Sequence, residues 1–181
     1  TTRLMEDAMS DFDLVILGGT IADGTGAEPF EADIGVTGGK IVQVGGAVGR
    51  GAEELDARGR IVTPGFVDVH THYDGHVTWE DRLIPSCFHG ITTAIMGNCG
   101  VGFAPCKPEV REIAAWDLVN VEAIPFEELT KGITWDWETF PEYMDAAARR
   151  GSGINLGFFA PLTPFRHFVM GEESIDRAAT E

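Results

Sequence analysis

An α/β fold is predicted, with a short β region leading into strands that alternate with helices. Three features of the sequence carry that prediction. Short β-branched runs separated by glycine pairs fill residues 13–63. From Phe66 onward the strand-like segments become nearly continuous apolar runs, the pattern of strands covered on both faces. Between those runs lie stretches with helical spacing and helix-start signals, which implies a parallel sheet of βα units. Hydrophobic residues make up 44% of the 181, enough to bury a core, so disorder is excluded as the main state.

Residues 1–12 read as a polar, methionine-containing lead. The β region opens with Asp13-Leu14-Val15-Ile16-Leu17, a strand expected to stop at a Gly18-Gly19 turn. Ile21-Ala22-Asp23 follows, then a loop over 24–29, then strands over 33–36 and 40–44 joined through Gly38-Gly39. Two-residue glycine turns match the twist of paired strands, so a small antiparallel unit is expected. Residues 55–62 add strand material, and Thr63-Pro64-Gly65 punctuates the end.

Residues 64–181 hold three candidate core strands, over 66–70, 90–97 and 154–159. Helices are expected over 109–116 and 139–150, the second with Thr139 as cap, Glu142 completing a capping box and Gly151 as terminator. A closed (β/α)8 barrel takes about 250 residues, so the stretch from Phe66 to Glu181 has room for roughly three or four of its units. Such a partial sheet leaves open parallel edges, which folded proteins avoid. The residues alone leave three explanations open: the rest of a barrel on a second chain, a fragment, or a domain that is not a barrel.

Charge narrows the partners. Twenty-nine acidic residues against 13 basic ones give a formal charge of −16, which repels nucleic acid and anionic membrane surfaces. Neither is expected as a partner. No stretch approaches the roughly 18 consecutive apolar residues that cross a bilayer, and the first residues lack the order of a secretion signal, so a soluble cytoplasmic protein is expected. Cys87, Cys99 and Cys106 contain no CxxC pair, which suits neither a disulfide scaffold nor a zinc ribbon.

The chemistry concentrates where the first two core strands end. In His70-Thr71-His72, residues two apart on a strand point to one side, so two imidazoles converge at the end where parallel α/β sheets place their sites. That geometry suits a metal ion. Cys99, in Gly97-Asn98-Cys99-Gly100, follows the next strand, and its position beside the histidines favours a thiolate ligand over a small packing residue. Alternation puts Asp74 on the histidine side, as ligand orienter, substrate contact or solvated loop acid. Cys87 and Cys106 are read as packing, and His76, His89 and His167 as structural or surface groups. Trp135-Asp136-Trp137-Glu138 offers aromatic surface, for a pocket roof or for packing on a helix. The glycines of 97–102 match neither the Walker lysine pattern nor the dinucleotide fingerprint.

Pro64-Gly65-Phe66-Val67-Asp68-Val69-His70-Thr71-His72 resembles the metal motif of the amidohydrolase superfamily. The preceding β region, with Gly18-Gly19-Thr20 and Gly39-Lys40-Ile41, resembles that superfamily's amino-terminal half of a β-sandwich. Four further stretches are similar to N-acyl-D-amino-acid deacylases, also called D-aminoacylases: His72-Tyr73-Asp74-Gly75, Gly90-Ile91-Thr92-Thr93, 97–105 and 135–143. The resemblance runs from about Asp13 to Gly171, and the Gly-Asn-Cys-Gly cysteine is what points to the deacylase branch.

By that resemblance the chain is the first part of a metal-dependent (β/α)8 TIM-barrel hydrolase preceded by a small β-sandwich unit, with the barrel incomplete. His70 and His72 would be metal ligands, and Cys99 the ligand of the tightly held zinc, in the bridging place that a carboxylated lysine fills in dihydroorotases and hydantoinases. One or two zinc ions are implied. Dihydroorotase-like enzymes carry an arginine where Asp74 stands, which argues against them. Two later histidines and a catalytic aspartate would lie beyond Glu181, so the remainder of the barrel is expected on a second chain or missing from this piece. Arg166 matches a recurrent arginine of a loop near the substrate, so Asp74 and Arg166 are the substrate-binding candidates; Leu162 stands where relatives carry a histidine, which leaves the preferred substrate open. The implied activity is metal-assisted hydrolysis of N-acyl-D-amino acids, with Cys99 as ligand and not nucleophile. Assembly of several copies is compatible with it. The rivals are a cyclic amidase of the dihydroorotase or hydantoinase kind and a non-catalytic scaffold subunit.

Overall fold

Gly18 and Gly19 do not turn the chain. In a computed structural model that describes residues 10–180, they lie inside one ten-residue strand, β1 (Phe12–Ile21). Gly18 has φ +64°, and pairing with β2 (Phe30–Thr37) shifts register between Ile16 and Gly19. The glycine pair is therefore a β-bulge, and a Cβ at Gly19 would collide with the Val62 side chain. The expected lead over 1–12 falls mostly outside the described residues, and Phe12 already belongs to β1.

Gly38-Gly39 makes the expected turn, joining β2 to β3 (Lys40–Val44) as an antiparallel pair. The sheet is nonetheless mixed rather than antiparallel throughout. β4 (Gly51–Asp56) and the short β5 (Ile61–Val62) both run parallel to β1, giving the order β3-β2-β1-β4 with β5 also on β1. The strand expected over 55–62 is thus split by a turn, closed by Arg60 N donating to Ala57 O at 2.9 Å. Val15, Ile21 and Ile34 are buried in this first unit, which ends at Pro64.

The second unit, from Gly65, carries a parallel sheet of order β6-β7-β8, made of β6 (Phe66–Asp68), β7 (Ile91–Met96) and β8 (Asn155–Phe158). β6 is shorter than its apolar run suggests, because pairing with β7 ends at Asp68. Double-sided cover was the expectation for this run. Phe66, Val67 and Val69 are instead exposed, because the described residues leave these side chains uncovered.

Among the described residues five α-helices pack between and after these strands: α1 (Arg111–Glu122), α2 (Phe126–Gly132), α3 (Phe140–Arg150), α4 (Leu162–Met170) and α5 (Glu173–Asp176). α1 runs past the predicted end at residue 116 because Ala114, Ala115 and Leu118 keep one face in the core. α3 has the predicted capping box: Glu142 N donates to Thr139 Oγ1 at 3.4 Å and Thr139 N donates to Glu142 Oε2 at 2.9 Å. α4 lies where the resemblance placed the loop of Arg166. Pro161 caps it and Pro164 sits in its first turn, where a missing N–H leaves no helical bond unmade.

The core of this unit gathers Met96, Phe103, Leu118, Leu129, Trp137 and Tyr143. Trp137 Nε1 donates to Phe103 O at 2.7 Å, so the buried indole is satisfied without water. Among the described residues no helix is long and apolar enough to cross a membrane.

Two stability outcomes follow. Thr139→Ala removes the cap and costs about 1 kcal/mol. Trp137→Phe strands the Phe103 carbonyl and costs about 1–3 kcal/mol. Urea unfolding midpoints of the two variants against the parent chain check both.

Candidate metal centre

β6 ends two residues before His70, so strand alternation alone does not bring the imidazoles together. A pinned loop does. Thr71 N and Thr71 Oγ1 both donate to Ile95 O, at 3.0 and 2.9 Å, and Asn98 Nδ2 donates to the same oxygen at 3.0 Å and to Thr71 O at 3.2 Å. Asp68 Oδ1 accepts from His70 N at 3.1 Å. The loop after β6 is thereby laced to the end of β7. The His70 and His72 rings stand edge to face with centroids 5.5 Å apart.

Cys99 reaches the same place from β7. Gly97 leaves the strand at φ +84°, where a Cβ would strike the Phe159 carbonyl oxygen, and Cys99 itself is left-handed at φ +56°. Non-glycine residues held there are strained, and such strain collects at functional sites. The result is a sulfur 3.3 Å from His70 Nε2. The ligand atoms of His70, His72 and Cys99 all lie within 4.8 Å of one another.

A tetrahedral zinc ion with ordinary bonds to sulfur and nitrogen separates those ligands by about 3.5 Å. His70 and Cys99 already stand near that spacing. His72 Nδ1 is buried with no hydrogen-bond partner among the described residues, a defect that a cation or its water would relieve. Two imidazoles and a thiolate are a donor set that zinc accepts readily. The residues therefore fit the metal.

A cleft of about 280 Å³ opens beside the cluster, lined by His70, His72, Tyr73, His76, Ser86 and Glu122 among others. Tyr73 Oη and Ser86 Oγ hydrogen-bond at 2.5 Å. The His76 ring packs on Trp79 at 4.9 Å, and burial pushes its pKa below the usual imidazole range. The Glu122 carboxylate, from the end of α1, stands 3.8 Å from His72 Nε2. Glu122 escaped the sequence reading, and His76 was read as a structural or surface group. A four-residue step from His72 would have flagged His76 only on a helix, and a separation of fifty positions from His72 hides Glu122.

Asp74 is 2% exposed and lies in the frame of the site, not in the cleft. Its Oδ2 accepts from Gly97 N at 3.3 Å, Tyr143 Oη donates to its backbone oxygen at 2.8 Å, and burial pushes its carboxyl up to about 7. Arg166, on α4, spends its guanidinium on backbone oxygens, donating to Ser174 O at 3.0 and 2.8 Å and to Arg177 O. Neighbouring His167 is buried between Ser174 Oγ at 2.6 Å and Asp117 Oδ2 at 2.8 Å, tying α4 to α1 and α5. Cys106 is buried and its thiol is pushed up to about 12, whereas Cys87 is half-buried and His89 exposed.

The fold has known counterparts. The chain is 33% identical over 178 residues to the N-acyl-D-aspartate deacylase of Alcaligenes xylosoxydans xylosoxydans, a match covering 98% of this chain and 33% of that protein. A solved D-aminoacylase with a binuclear metal centre superposes with a TM-score of 0.75 at 30% identity, over 93% of this chain and 33% of that one. The N-acyl-D-glutamate deacylase of Bordetella bronchiseptica, complexed with zinc and a phosphonate inhibitor, gives 0.67 at 29% identity over the same shares. The chain thus spans about a third of the length of the relatives it matches. Those likenesses bear out the α/β barrel fold and the D-aminoacylase resemblance read from the sequence. The amidohydrolase family profile matches residues 53–154, and the chain belongs to that family.

Proposed function

We propose that this chain carries the first metal ligands of a zinc-dependent hydrolase that cleaves the amide bond of N-acyl-D-amino acids, releasing a carboxylate and a D-amino acid. The observation that carries the reading is the approach of His70, His72 and Cys99 to within 4.8 Å, at the carboxyl ends of two neighbouring parallel strands. A close likeness over almost the whole chain to a deacylase of N-acyl-D-aspartate supports the substrate class.

In this reading His70, His72 and Cys99 would hold one or two zinc ions. The chemistry that zinc would supply there is Lewis-acid chemistry, a water acidified to a pKa of about 7 and a polarised carbonyl, with no need of a side-chain nucleophile. The chain's own residues hold that site open and shaped. Thr71, Asn98 and Asp68 fix the loop, and the Tyr73–Ser86 pair and His76 wall the cleft. Asp74 serves by joining the histidine loop to the end of β7, and Arg166 by anchoring the segment after α4, since neither has a free polar face toward the cleft. The general acid/base is a carboxylate outside these 181 residues, as the resemblance implies.

Two measurements test the proposal. Equilibrated with zinc and desalted, the chain is expected to retain metal by mass spectrometry, and Cys99→Ser is expected to weaken retention by more than the roughly 10–100-fold typical of losing an outer partner. Full retention by Cys99→Ser would remove the cysteine from the site. The full-length protein carrying this chain is expected to release acid from N-acetyl-D-methionine, with kcat/KM falling roughly 100-fold or more in His72→Asn. Turnover of cyclic amides alone would reassign the substrate.

A further inference from the structure

α1 ends on a carboxylate, and its electrostatics give no reason for one. A helix C-terminus carries partial negative charge and favours cations, yet the last turn of α1 holds Glu122 and no basic residue. The helix also stops there abruptly. Ala123 takes a left-handed φ of +53° while its N–H bonds back to Val119 O at 2.9 Å. The groups facing Glu122 belong to the metal centre: His72 Nε2 at 3.8 Å, with His76 and Asp74 close enough to feel its charge.

Charge gives the placement a use. Of the three clustered ligands only Cys99 can carry negative charge, so a nearby carboxylate would add to the compensation of a divalent cation held there. Asp68 also lines the cleft, and its Oδ1 is engaged by His70 N. Glu122 is partly buried, with 32% of its side chain exposed against 11% for His72, so solvent screens the pair only in part.

We infer that Glu122 is a positioning residue of the metal centre: its carboxylate holds the His72 ring in orientation and supplies negative charge facing the cation. This rests on the zinc reading above. Carboxylates that orient ligating histidines from outside the ligand set are a recurrent device, and their loss weakens metal binding without removing a ligand.

Zinc competition against a chromophoric chelator, run on the full chain, tests it. Glu122→Gln and Glu122→Ala are each expected to bind zinc about 10–100-fold more weakly than the parent chain, with Glu122→Asp recovering part of the loss. Cobalt(II) substitution is expected to keep the sulfur charge-transfer band from Cys99 while the ligand-field bands shift, a signature that a merely structural role would leave unmoved. Glu127→Gln, on α2, where Glu127 pairs with Lys131 at 3.5 Å, is expected to bind like the parent. Parent-like affinity in both Glu122→Gln and Glu122→Ala overturns the inference, as does equal weakening by Glu127→Gln, which would assign the effect to overall charge. A parent chain that binds no zinc overturns the zinc reading itself, and this inference with it.

Discussion

Three donors meet on one carbonyl oxygen, that of Ile95 at the end of β7: the backbone N–H and hydroxyl of Thr71 and the side-chain amide of Asn98. The candidate centre depends on this junction. It fixes the residue between the two histidines to the strand that delivers the cysteine, so the distance between His70 and Cys99 is set by hydrogen bonds within the frame. Each bond contributes on the order of 1 kcal/mol net, but all three concern the same few degrees of backbone freedom. Asp74 and Tyr143 extend the frame by tying the end of the histidine loop to Gly97 and to α3.

The residues of the candidate centre were legible because their signals are local. His70-Thr71-His72 and Gly97-Asn98-Cys99-Gly100 each put a candidate ligand just past a strand, and the Thr139 and Glu142 capping box announced α3 within four positions. What was misread depends on distant partners. Gly18-Gly19 and Gly38-Gly39 look alike in sequence, yet one is a bulge against β2 and the other a turn; the neighbouring strand decides. β6 looked like a longer covered strand because its apolar run continues past the last paired residue. The resemblance placed Arg166 in a loop, where the chain instead forms α4, with proline tolerated in its first turn. Glu122 and His76 were invisible as site residues for the same reason: nothing in their spacing encodes the fold that brings them to His72.

The sheet of the second unit ends on one side at β6, where Phe66 and Val67 are exposed, and on the other at β8. Their apolar side chains follow a composition suited to cover on both faces, while the described residues cover only part of them. Composition and exposure therefore disagree at β6, the strand from which the histidine loop emerges.

The two sulfurs of the second unit that flank the loop after β7 have opposite fates. Cys106 is sealed in the core with its thiol pushed up to about 12, and stays inert toward oxidants. Cys99 is exposed on a strained turn beside an imidazole. Peroxide or disulfide exchange would find Cys99 first, and a sulfinic or sulfonic product there is irreversible. The sole anionic donor of the cluster is thus also its most perishable atom, and a metal ion held there would protect that sulfur from ageing.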